Sequence, residues 1–268
     1  MQKKIAVSAR DFADWLLAHG KTSVTTIQAS KLLSVPVEQV PVRLNRQVVT
    51  NRLFSPSRGL WIPIPPEFRT WGVTPALHFV DDLMRHLGRS YYIGWLSAAE
   101  IFGAAHQRPQ VFQVAVDQHT ASRKLKRVEL QFTTRSKLNS LPRIQHPTPT
   151  GKAWMAIPEL TALDLVDEPR LSAGLSNAAT VIAELASEPG LNGDTLAELA
   201  TQFPATASRR LGYLLELTDA KVDLDPIRAH IQASQSLGPF KLSPTGPRRG
   251  FHNSIWQLII NTQVDPDL

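Results

Sequence analysis

The sequence predicts an α+β fold in two parts: a small N-terminal domain and a larger mixed α/β domain behind it. Three observations predict this division. Three helical patterns and one hairpin pattern fill residues 8–62, a proline-rich stretch covers residues 63–75, and helical and strand patterns are mixed from residue 76 onward. The chain has 268 residues, which is long enough for two ordinary domains.

Two short helices are predicted at the start of the chain. Residues 8–19 have the apolar spacing of a helix, Ser8 is a candidate N-cap, and Gly20 ends the pattern. The second helix is expected to begin at Thr25 or Thr26 and to end before a short turn. Two helices this close together are typical of a helix-turn-helix unit.

The third helix is predicted over residues 36–51. Because proline fits only the first turn of a helix, Pro41 indicates that the helix begins properly near Val40. Residues 53–54 and 60–62 then predict a short β-hairpin. Three helices followed by a hairpin are the pattern of a winged helix-turn-helix domain, which binds DNA.

The domain boundary is predicted at the proline-rich stretch. Residues 63–75 cannot continue a helix or a central strand, so we interpret them as a semi-rigid linker. This assigns residues 1–70 to the DNA-binding domain and residues 76–268 to the C-terminal domain. We therefore expect a fragment that lacks residues 1–70 to fold by itself.

The C-terminal domain is predicted to mix helices with strands. Apolar periodicity predicts helices at 76–87, 95–103, 159–166, 174–187, 193–202 and 205–217. Strands are predicted at 111–116 and 128–133, and the segment FHNSIWQLIINTQ is expected to be a terminal strand. The sequence contains no internal repeat of the kind that marks solenoids and propellers.

Basic residues are concentrated in two segments. The net charge is +6, from 29 Lys and Arg against 23 Asp and Glu. Residues 1–70 alone have a net charge of +6, residues 120–152 of +7, and residues 153–204 of −7. A small basic domain suits a polyanionic partner such as double-stranded DNA, because binding releases condensed counterions. A merely solvated basic face is the alternative.

The third helix is the candidate DNA-reading element. Val40, Leu44 and Val48 share one face, which we expect to pack on the first two helices. The opposite face has residues that suit base edges, since Arg pairs with guanine, Gln with adenine, and a small apolar group contacts the thymine methyl. These residues are Gln39, Arg43, Arg46 and Thr50, with Val42 among them.

Other cations are candidates for phosphate contacts. Arg58 is predicted at the hairpin turn, where a wing meets the DNA backbone or the minor groove. Lys21, Lys31 and Arg52 are expected to hold phosphates at the flanks of the third helix. All four lie within the predicted DNA-binding domain.

Two further basic groups form a possible C-domain patch for nucleic acid. One consists of Arg123, Lys124, Lys126 and Arg127, which are expected in a loop between strands. The other is the pair Arg209 and Arg210 at the start of a helix. Each has a structural alternative, a solvated loop for the first group and a core helix with a basic start for the second.

The sequence excludes several kinds of chemistry. It contains no cysteine, so disulfides, thiolate nucleophiles and Cys-ligated metals are excluded. The N-terminal residues have no apolar core of a signal peptide, and no apolar run approaches the roughly 20 residues of a membrane span. We expect a cytoplasmic protein that is not an enzyme and needs no cofactor.

A metal-dependent nuclease is an alternative from a different class. Asp117 follows one predicted strand and Glu129 lies in the next, but Gln131 stands where such enzymes have a lysine. No histidine pair has metal-ligand spacing. The histidines are at positions 19, 78, 86, 106, 119, 146, 230 and 252.

Several short segments, in this order, resemble the AbiEi-type antitoxins, the regulator half of AbiE abortive-infection systems in phage defence. The resemblance covers nearly the whole chain, and its specificity comes from the order of the segments. The segments are 58–61 (RGLW), 91–99 (YYIGWLSAA), 111–116 (VFQVAV), 162–166 (ALDLV), 209–216 (RRLGYLLE), 241–244 (KLSP) and 256–261 (WQLIIN).

The resemblance implies a repressor that binds repeats in its own promoter. It also implies a C-terminal domain that counters a cognate nucleotidyltransferase-like toxin, commonly without a stable complex. It supplies no catalytic motif. An operon repressor whose C-terminal domain serves sensing or dimerisation remains an alternative at this stage.

Overall fold

The computed structural model describes residues 7–104, 109–234 and 238–268, which form two compact units. The first unit comprises Met1–Tyr91, Gln110–Ser136 and Gln145–Trp154. The second comprises Tyr92–Pro109, Lys137–Ile144 and Met155–Leu268. The chain therefore passes between the units several times, and the division does not follow the boundary predicted from the sequence.

The first unit begins with three helices and a hairpin. The helices are α1 (Phe12–Ala18), α2 (Thr26–Leu33) and α3 (Val40–Val49), and the strands are β1 (Val24–Thr25), β2 (Leu53–Ser57) and β3 (Leu60–Pro63). All three helices and the hairpin were predicted. β1 and β2 both pair antiparallel with β3, so the sheet has the order β1-β3-β2.

The ends of the first two helices are fixed by local hydrogen bonds. Ser8 does not cap α1, because its Oγ accepts a hydrogen bond from the Arg10 amide (3.2 Å) and the helix begins at Phe12. At the start of α2, Thr25 Oγ1 accepts from the Gln28 amide (3.2 Å) and Gln28 Oε1 accepts from the Thr25 amide (2.8 Å). This reciprocal capping box confirms the start predicted for α2.

The third helix begins where Pro41 requires. A short 3-10 turn over Val37–Gln39 precedes it, and Pro41 lies in its first turn. The missing amide of proline costs no hydrogen bond there, because the first helical amides have no acceptor within the helix. The prediction that this helix begins near Val40 is confirmed.

The core of this segment consists of apolar side chains from all three helices. Phe12 and Leu16 of α1, Ala29 of α2, and Val40 and Leu44 of α3 have no exposed surface. They form one cluster with the hairpin strands. Burial of such side chains contributes about 1.5–3 kcal/mol each, which makes this cluster the main support of the segment.

The proline-rich stretch is not a linker between domains. Ile64 and Val73 are fully buried, and the Ile64 amide donates to the Arg52 carbonyl at 2.8 Å. Arg69 Nη2 forms an ion pair with Asp14 Oδ1 at 2.6 Å. Residues 63–75 thus pack inside the first unit, although their prolines do end β3 as the sequence predicts.

The remaining elements continue along the chain. The helices are α4 (Val80–Leu87), α5 (Trp95–Ile101), α6 (Pro158–Asp167), α7 (Leu175–Leu185), α8 (Gly193–Ala200), α9 (Ala205–Leu217) and α10 (Asp225–Ala233). The strands are β4 (Tyr91–Ile93), β5 (Phe112–Val116), β6 (Arg123–Leu125), β7 (Val128–Thr134), β8 (Arg143–Thr148), β9 (Gly151–Ala156), β10 (Phe240–Lys241), β11 (Phe251–Asn253) and β12 (Leu258–Ile260).

The largest sheet has six strands in the order β6-β7-β5-β4-β9-β8. β5 and β7 are parallel over five residue pairs, from Phe112 opposite Leu130 to Val116 opposite Thr134. β6 pairs antiparallel with β7 through a two-residue turn and forms one edge of the sheet. The predicted strands β5 and β7 are confirmed, whereas β4, β6, β8 and β9 were not predicted.

Helix α6 is the centre of the second unit. Eight of its ten residues are buried, and it packs against α5, α7, α8 and α9. The fully buried Asp164 on this helix accepts a hydrogen bond from the Tyr92 hydroxyl at 3.0 Å. A helix buried on all faces is typical of a domain core.

Within the described ranges, no helix is long and apolar enough to cross a membrane.

The end of the chain forms two strands where one was predicted. β11 and β12 are antiparallel, and β10 pairs parallel with β12. Asn253 Oδ1 accepts from the Trp256 amide at 3.0 Å, and Gln257 has a positive φ of 50°. These local features form the turn that divides the predicted terminal strand.

Candidate nucleic-acid interface

The inward face of α3 fixes how this helix is rotated. Val40 and Leu44 are fully buried, and Val48 packs against the same cluster, as the helical spacing predicts. Gln47 is also buried, and its Nε2 donates to the carbonyls of Ala9 (3.1 Å) and Arg10. Gln47, whose role was not predicted from the sequence, ties α3 to the segment before α1.

The opposite face of α3 is exposed to solvent. Gln39, Arg43, Arg46 and Thr50, the predicted base-reading residues, are all exposed. Thr50 Oγ1 donates to the Arg46 carbonyl at 2.8 Å, so this hydroxyl already serves the end of the helix. Among the described residues, neither Arg43 nor Arg46 has an ion-pair partner, which leaves both guanidinium groups available for a ligand.

Apolar side chains are exposed beside these arginines. Val42 is 78% exposed and Val49 is 72% exposed, and Ile27 on α2 is 60% exposed. Of these three residues, only Val42 was predicted from the sequence to lie on this face. Exposed aliphatic groups interleaved with arginines suit the major groove, where thymine presents a methyl group.

The predicted phosphate contacts divide into two classes. Lys21, Lys31 and Arg58 are exposed. Arg52 instead forms an ion pair with Asp14, a carboxylate that also binds Arg69. The structure therefore corrects the assignment of Arg52, whose guanidinium supports the packing of the first unit.

Two side chains outside the predicted domain hold the hairpin β2–β3. Gly59 forms the turn with a φ of 89°, a conformation that glycine adopts readily. The ring Nε2 of His86 on α4 donates to the Arg58 carbonyl at 2.9 Å. Arg123 Nη1 on β6 donates to the Pro56 carbonyl at 3.1 Å. Both anchors come from later in the chain, so the sequence analysis missed them.

The basic residues from Arg123 to Arg127 belong to the hairpin formed by β6 and β7 and not to a loop. Arg123 is half-buried, and burial lowers the pKa of its guanidinium, although the group remains charged at neutral pH. Lys124, Lys126 and Arg127 are exposed, on β6 and in the turn to β7. Ser122 Oγ accepts from the Phe132 amide at 3.3 Å and fixes the base of this hairpin.

Arg209 and Arg210 are not part of a surface patch. Arg209 is fully buried and Arg210 is 5% exposed. Arg210 donates to the carbonyls of Leu242 (2.8 Å) and Val166 (3.1 Å), and Arg209 donates to Gln257 Oε1 at 3.0 Å. Burial lowers the pKa of both guanidinium groups. This pair serves the packing of α9, as the structural alternative stated.

The same part of α9 packs on a buried tryptophan. Trp256 has no exposed surface, and its Nε1 donates to Glu216 Oε2 at 2.7 Å. A Cβ atom on Gly212 would collide with the Trp256 ring, so only glycine fits this position. Two segments that carried the family resemblance, 209–216 and 256–261, therefore meet in the core of the second unit.

The acidic pair considered for a nuclease does not come together. In the parallel register of β5 and β7, Leu130 lies opposite Phe112, so Glu129 is at the opposite end of this strand pair from Asp117. Five or six residues along a strand span about 16–20 Å, too far for one metal ion or a two-metal site.

The histidines give no support to a metal site either. In the described ranges, no three His, Asp or Glu residues are grouped so that they could hold a metal ion. His86 serves the hairpin, and burial lowers the pKa of His78. His106 lies outside the described residues.

A cavity of about 410 Å³ adjoins the first helix in the first unit. Its walls include apolar side chains and a few polar ones, among them Lys21, Glu67 and His78. Lys21, a predicted phosphate-contact residue, is thus also part of the wall of this cavity.

The chain shares its fold with a protein of known structure. A search of curated proteins finds no match. The chain is similar to the crystal structure of the RV2827C protein from Mycobacterium tuberculosis, with a TM-score of 0.66, 16% identity, and coverage of 95% of this chain and 91% of that chain. At this identity the similarity shows a shared fold.

A second similarity is weaker. An antigenic nucleotidyltransferase-like protein from Paracoccidioides brasiliensis is 12% identical, with coverage of 55% of this chain and 92% of that chain. The TM-score is 0.35, which is too low to indicate a common fold.

The family match concerns the middle of the chain. The family model of the AbiEi antitoxin C-terminal domain matches residues 92–217. This range includes three of the segments on which the resemblance rested, 111–116, 162–166 and 209–216, and all but the first residue of a fourth, 91–99. The resemblance is thereby confirmed for residues 92–217, which match the C-terminal domain of the AbiEi antitoxins.

Proposed function

We propose that this protein is the antitoxin of a toxin–antitoxin operon and that it represses the operon by binding DNA through α3. The observation that carries the proposal is the outward face of α3, where two arginines that form no ion pair with a described residue lie among exposed valines. Residues 7–63 would act as a winged helix-turn-helix. The element order α1 to β3 and the sheet order β1-β3-β2 support this assignment.

The roles of the residues follow from their chemistry. Arg43 and Arg46 have the bidentate geometry that matches guanine O6 and N7, and Gln39 suits adenine. Val42 suits a thymine methyl group. Lys31 and Arg58, at the flanks, are assigned to phosphates, which position the helix without reading sequence.

The C-terminal domain is proposed to counter the toxin. The AbiEi match supports an antitoxin role, and the resemblance implies a nucleotidyltransferase-like toxin as the target. We place the protein in the cytoplasm, where its operator lies. The proposal requires no stable complex between the two proteins.

A footprint of the full-length protein on its own upstream DNA tests the repressor role. We expect protection of two short related sites, because a winged helix reads few base pairs and repressors gain affinity by pairing. Specific sites normally bind about 10³-fold or more tighter than random duplex. Equal affinity for both at about 0.15 M salt would contradict the proposal.

Co-expression with the neighbouring toxin gene tests the antitoxin role. The full-length variant Arg43→Ala/Arg46→Ala is expected to lose the footprint and to retain protection of growth. We use this variant in place of a deletion of residues 1–70, because those residues share a compact unit with Gln110–Ser136. Absence of protection by the wild-type chain would favour the repressor with a sensing or dimerisation domain.

A further inference from the structure

We propose that the hairpin β6–β7 is a second DNA-binding element, in which Lys124, Lys126 and Arg127 contact phosphates beside the site read by α3. This inference rests on the proposed DNA-binding function and extends it beyond the winged helix. It also assigns a role to the basic segment 120–152, whose net charge of +7 exceeds that of any other part of the chain.

The first support is where the hairpin is anchored. Arg123 Nη1 on β6 donates to the Pro56 carbonyl on β2, so a side chain at the base of one hairpin holds the other. Pro56 is buried, and Arg58 follows it in the exposed turn. The two hairpins therefore lie side by side within one compact unit.

The reach of the hairpin matches the DNA backbone. A strand rises about 3.3 Å per residue, so the turn at Lys126 lies about 10 Å along β6 from the Arg123 anchor. Base pairs are stacked at about 3.4 Å, so this length corresponds to about three base-pair steps. A hairpin of this length can reach phosphates a few base pairs away from those that the wing would contact.

The protein offsets only part of the positive charge on the hairpin. Lys124, Lys126 and Arg127 are exposed, and none forms an ion pair with a described residue. The acidic residue nearest in the ladder is Glu129, which lies opposite Lys124 and is itself exposed. Three cations on a short hairpin repel one another, and a polyanion would relieve that repulsion.

The turn itself carries a cation at a conformationally costly position. Lys126 has a φ of 55°, in the left-handed region that glycine and asparagine adopt more easily. A lysine therefore occupies the place where the backbone favours glycine. This gives a test variant, Lys126→Gly, which removes the charge and suits the backbone.

The experiment compares two full-length triple variants that remove equal charge. The hairpin variant is Lys124→Gln/Lys126→Gly/Arg127→Gln, and the control is Arg170→Gln/Lys221→Gln/Arg248→Gln, all exposed cations of the second unit. Fluorescence anisotropy measures the affinity for upstream duplex and for random duplex between about 50 and 200 mM salt. Circular dichroism checks that each variant is folded.

The expected result is a loss of affinity for both duplexes in the hairpin variant alone. Each lost phosphate contact lowers the slope of log K against log salt by about 0.9, so the slope should fall by up to about 2.7. At about 0.1 M salt the affinity should fall at least about tenfold.

Three outcomes would overturn the inference. An unchanged slope and affinity, with binding still lost in Arg43→Ala/Arg46→Ala, would refute the hairpin and leave the proposed function intact. Retained DNA binding with loss of protection against the toxin would assign the hairpin to another partner. Absence of binding by the wild-type protein would refute the proposed function together with this inference.

Discussion

Two pairs of arginines on two helices have opposite environments. Arg43 and Arg46 on α3 are exposed and have no ion-pair partner among the described residues, whereas Arg209 and Arg210 on α9 are buried against backbone carbonyls. Both helices have apolar residues at helical spacing. The difference arises from the rest of the chain, since α6 and the segment around β10 supply acceptors to α9, whereas no described residue covers the outward face of α3. Charge on a helix thus indicates a surface only where no other segment approaches it.

The largest expected effect concerns the buried pair. Arg210→Ala should lower the free energy of unfolding of the second unit by about 3 kcal/mol, because the carbonyls of Leu242 and Val166 lose their donor. Arg46→Ala, on the exposed helix, should change it by less than about 0.5 kcal/mol. Urea denaturation measures both. Equal losses in the two variants would remove the distinction between the pairs.

Substitution in the exposed arginine pair should weaken DNA binding, whereas it should leave the free energy of unfolding nearly unchanged. Arg46→Ala is expected to weaken binding to the upstream sites by about 1–3 kcal/mol and binding to random duplex much less, as a base contact does. Arg170→Ala, an exposed cation of the second unit, is the control. Anisotropy with the two duplexes measures the difference. If Arg46→Ala weakened both equally, the residue would contact phosphate and the proposed base contacts of α3 would need revision.

Substitution of the flanking cations should change DNA affinity in a different way from substitution of either arginine pair. Lys31→Ala and Arg58→Ala are each expected to weaken specific and random binding alike and to lower the salt slope by about 0.9, because phosphate contacts release counterions. A salt titration measures the slopes. Arg52→Ala is the comparison variant, since its guanidinium is paired with Asp14. A sequence-dependent loss in Arg58→Ala would instead place this residue on base edges.

The smallest expected effect is a pH dependence of the free energy of unfolding that arises from His230, which interacts with the buried Arg209. Burial, and then the charge of Arg209, lowers the pKa of His230 from its ordinary value of 6.5. Above about pH 6.5 the ring is neutral in both states, and below it the unfolded chain takes up the proton first. The free energy of unfolding should therefore fall as the pH falls below about 6.5.

Denaturation of His230→Gln at several pH values checks this dependence. The variant should show a flatter decline than the wild type, and His252→Gln, at an exposed histidine, is the control. A decline of equal steepness in wild type and His230→Gln would show that folding does not lower the pKa of His230.

The sequence predicted best those structural features that depend on residues close by in the chain. The start of α2 at Thr25 and the start of α3 at Val40 depend on residues within four positions, a capping box and a proline. The rotation of α3 follows from the spacing of Val40 and Leu44. The exposure of Arg43 and Arg46 follows from the same spacing, so this part of the candidate site could be predicted.

What the sequence did not predict depends on distant segments. The acceptors of Arg210 lie 32 and 44 residues away, and Arg123 reaches a strand 67 residues before it. No periodicity within a helix contains such information. The proline-rich stretch was misread for the same reason, because Arg69 pairs with Asp14, 55 residues earlier. Short strands such as β4 and β9 lacked a clear alternation.

The position of β6 has a consequence for self-association. A strand at the edge of a sheet presents unpaired backbone groups to which another chain can add. β6 has only three residues, and Lys124 is exposed on it. Lysine on a short edge strand discourages such addition. We therefore expect Lys124 also to protect the free protein from aggregation, so that variants that neutralise it should be stored at lower concentration than the wild type.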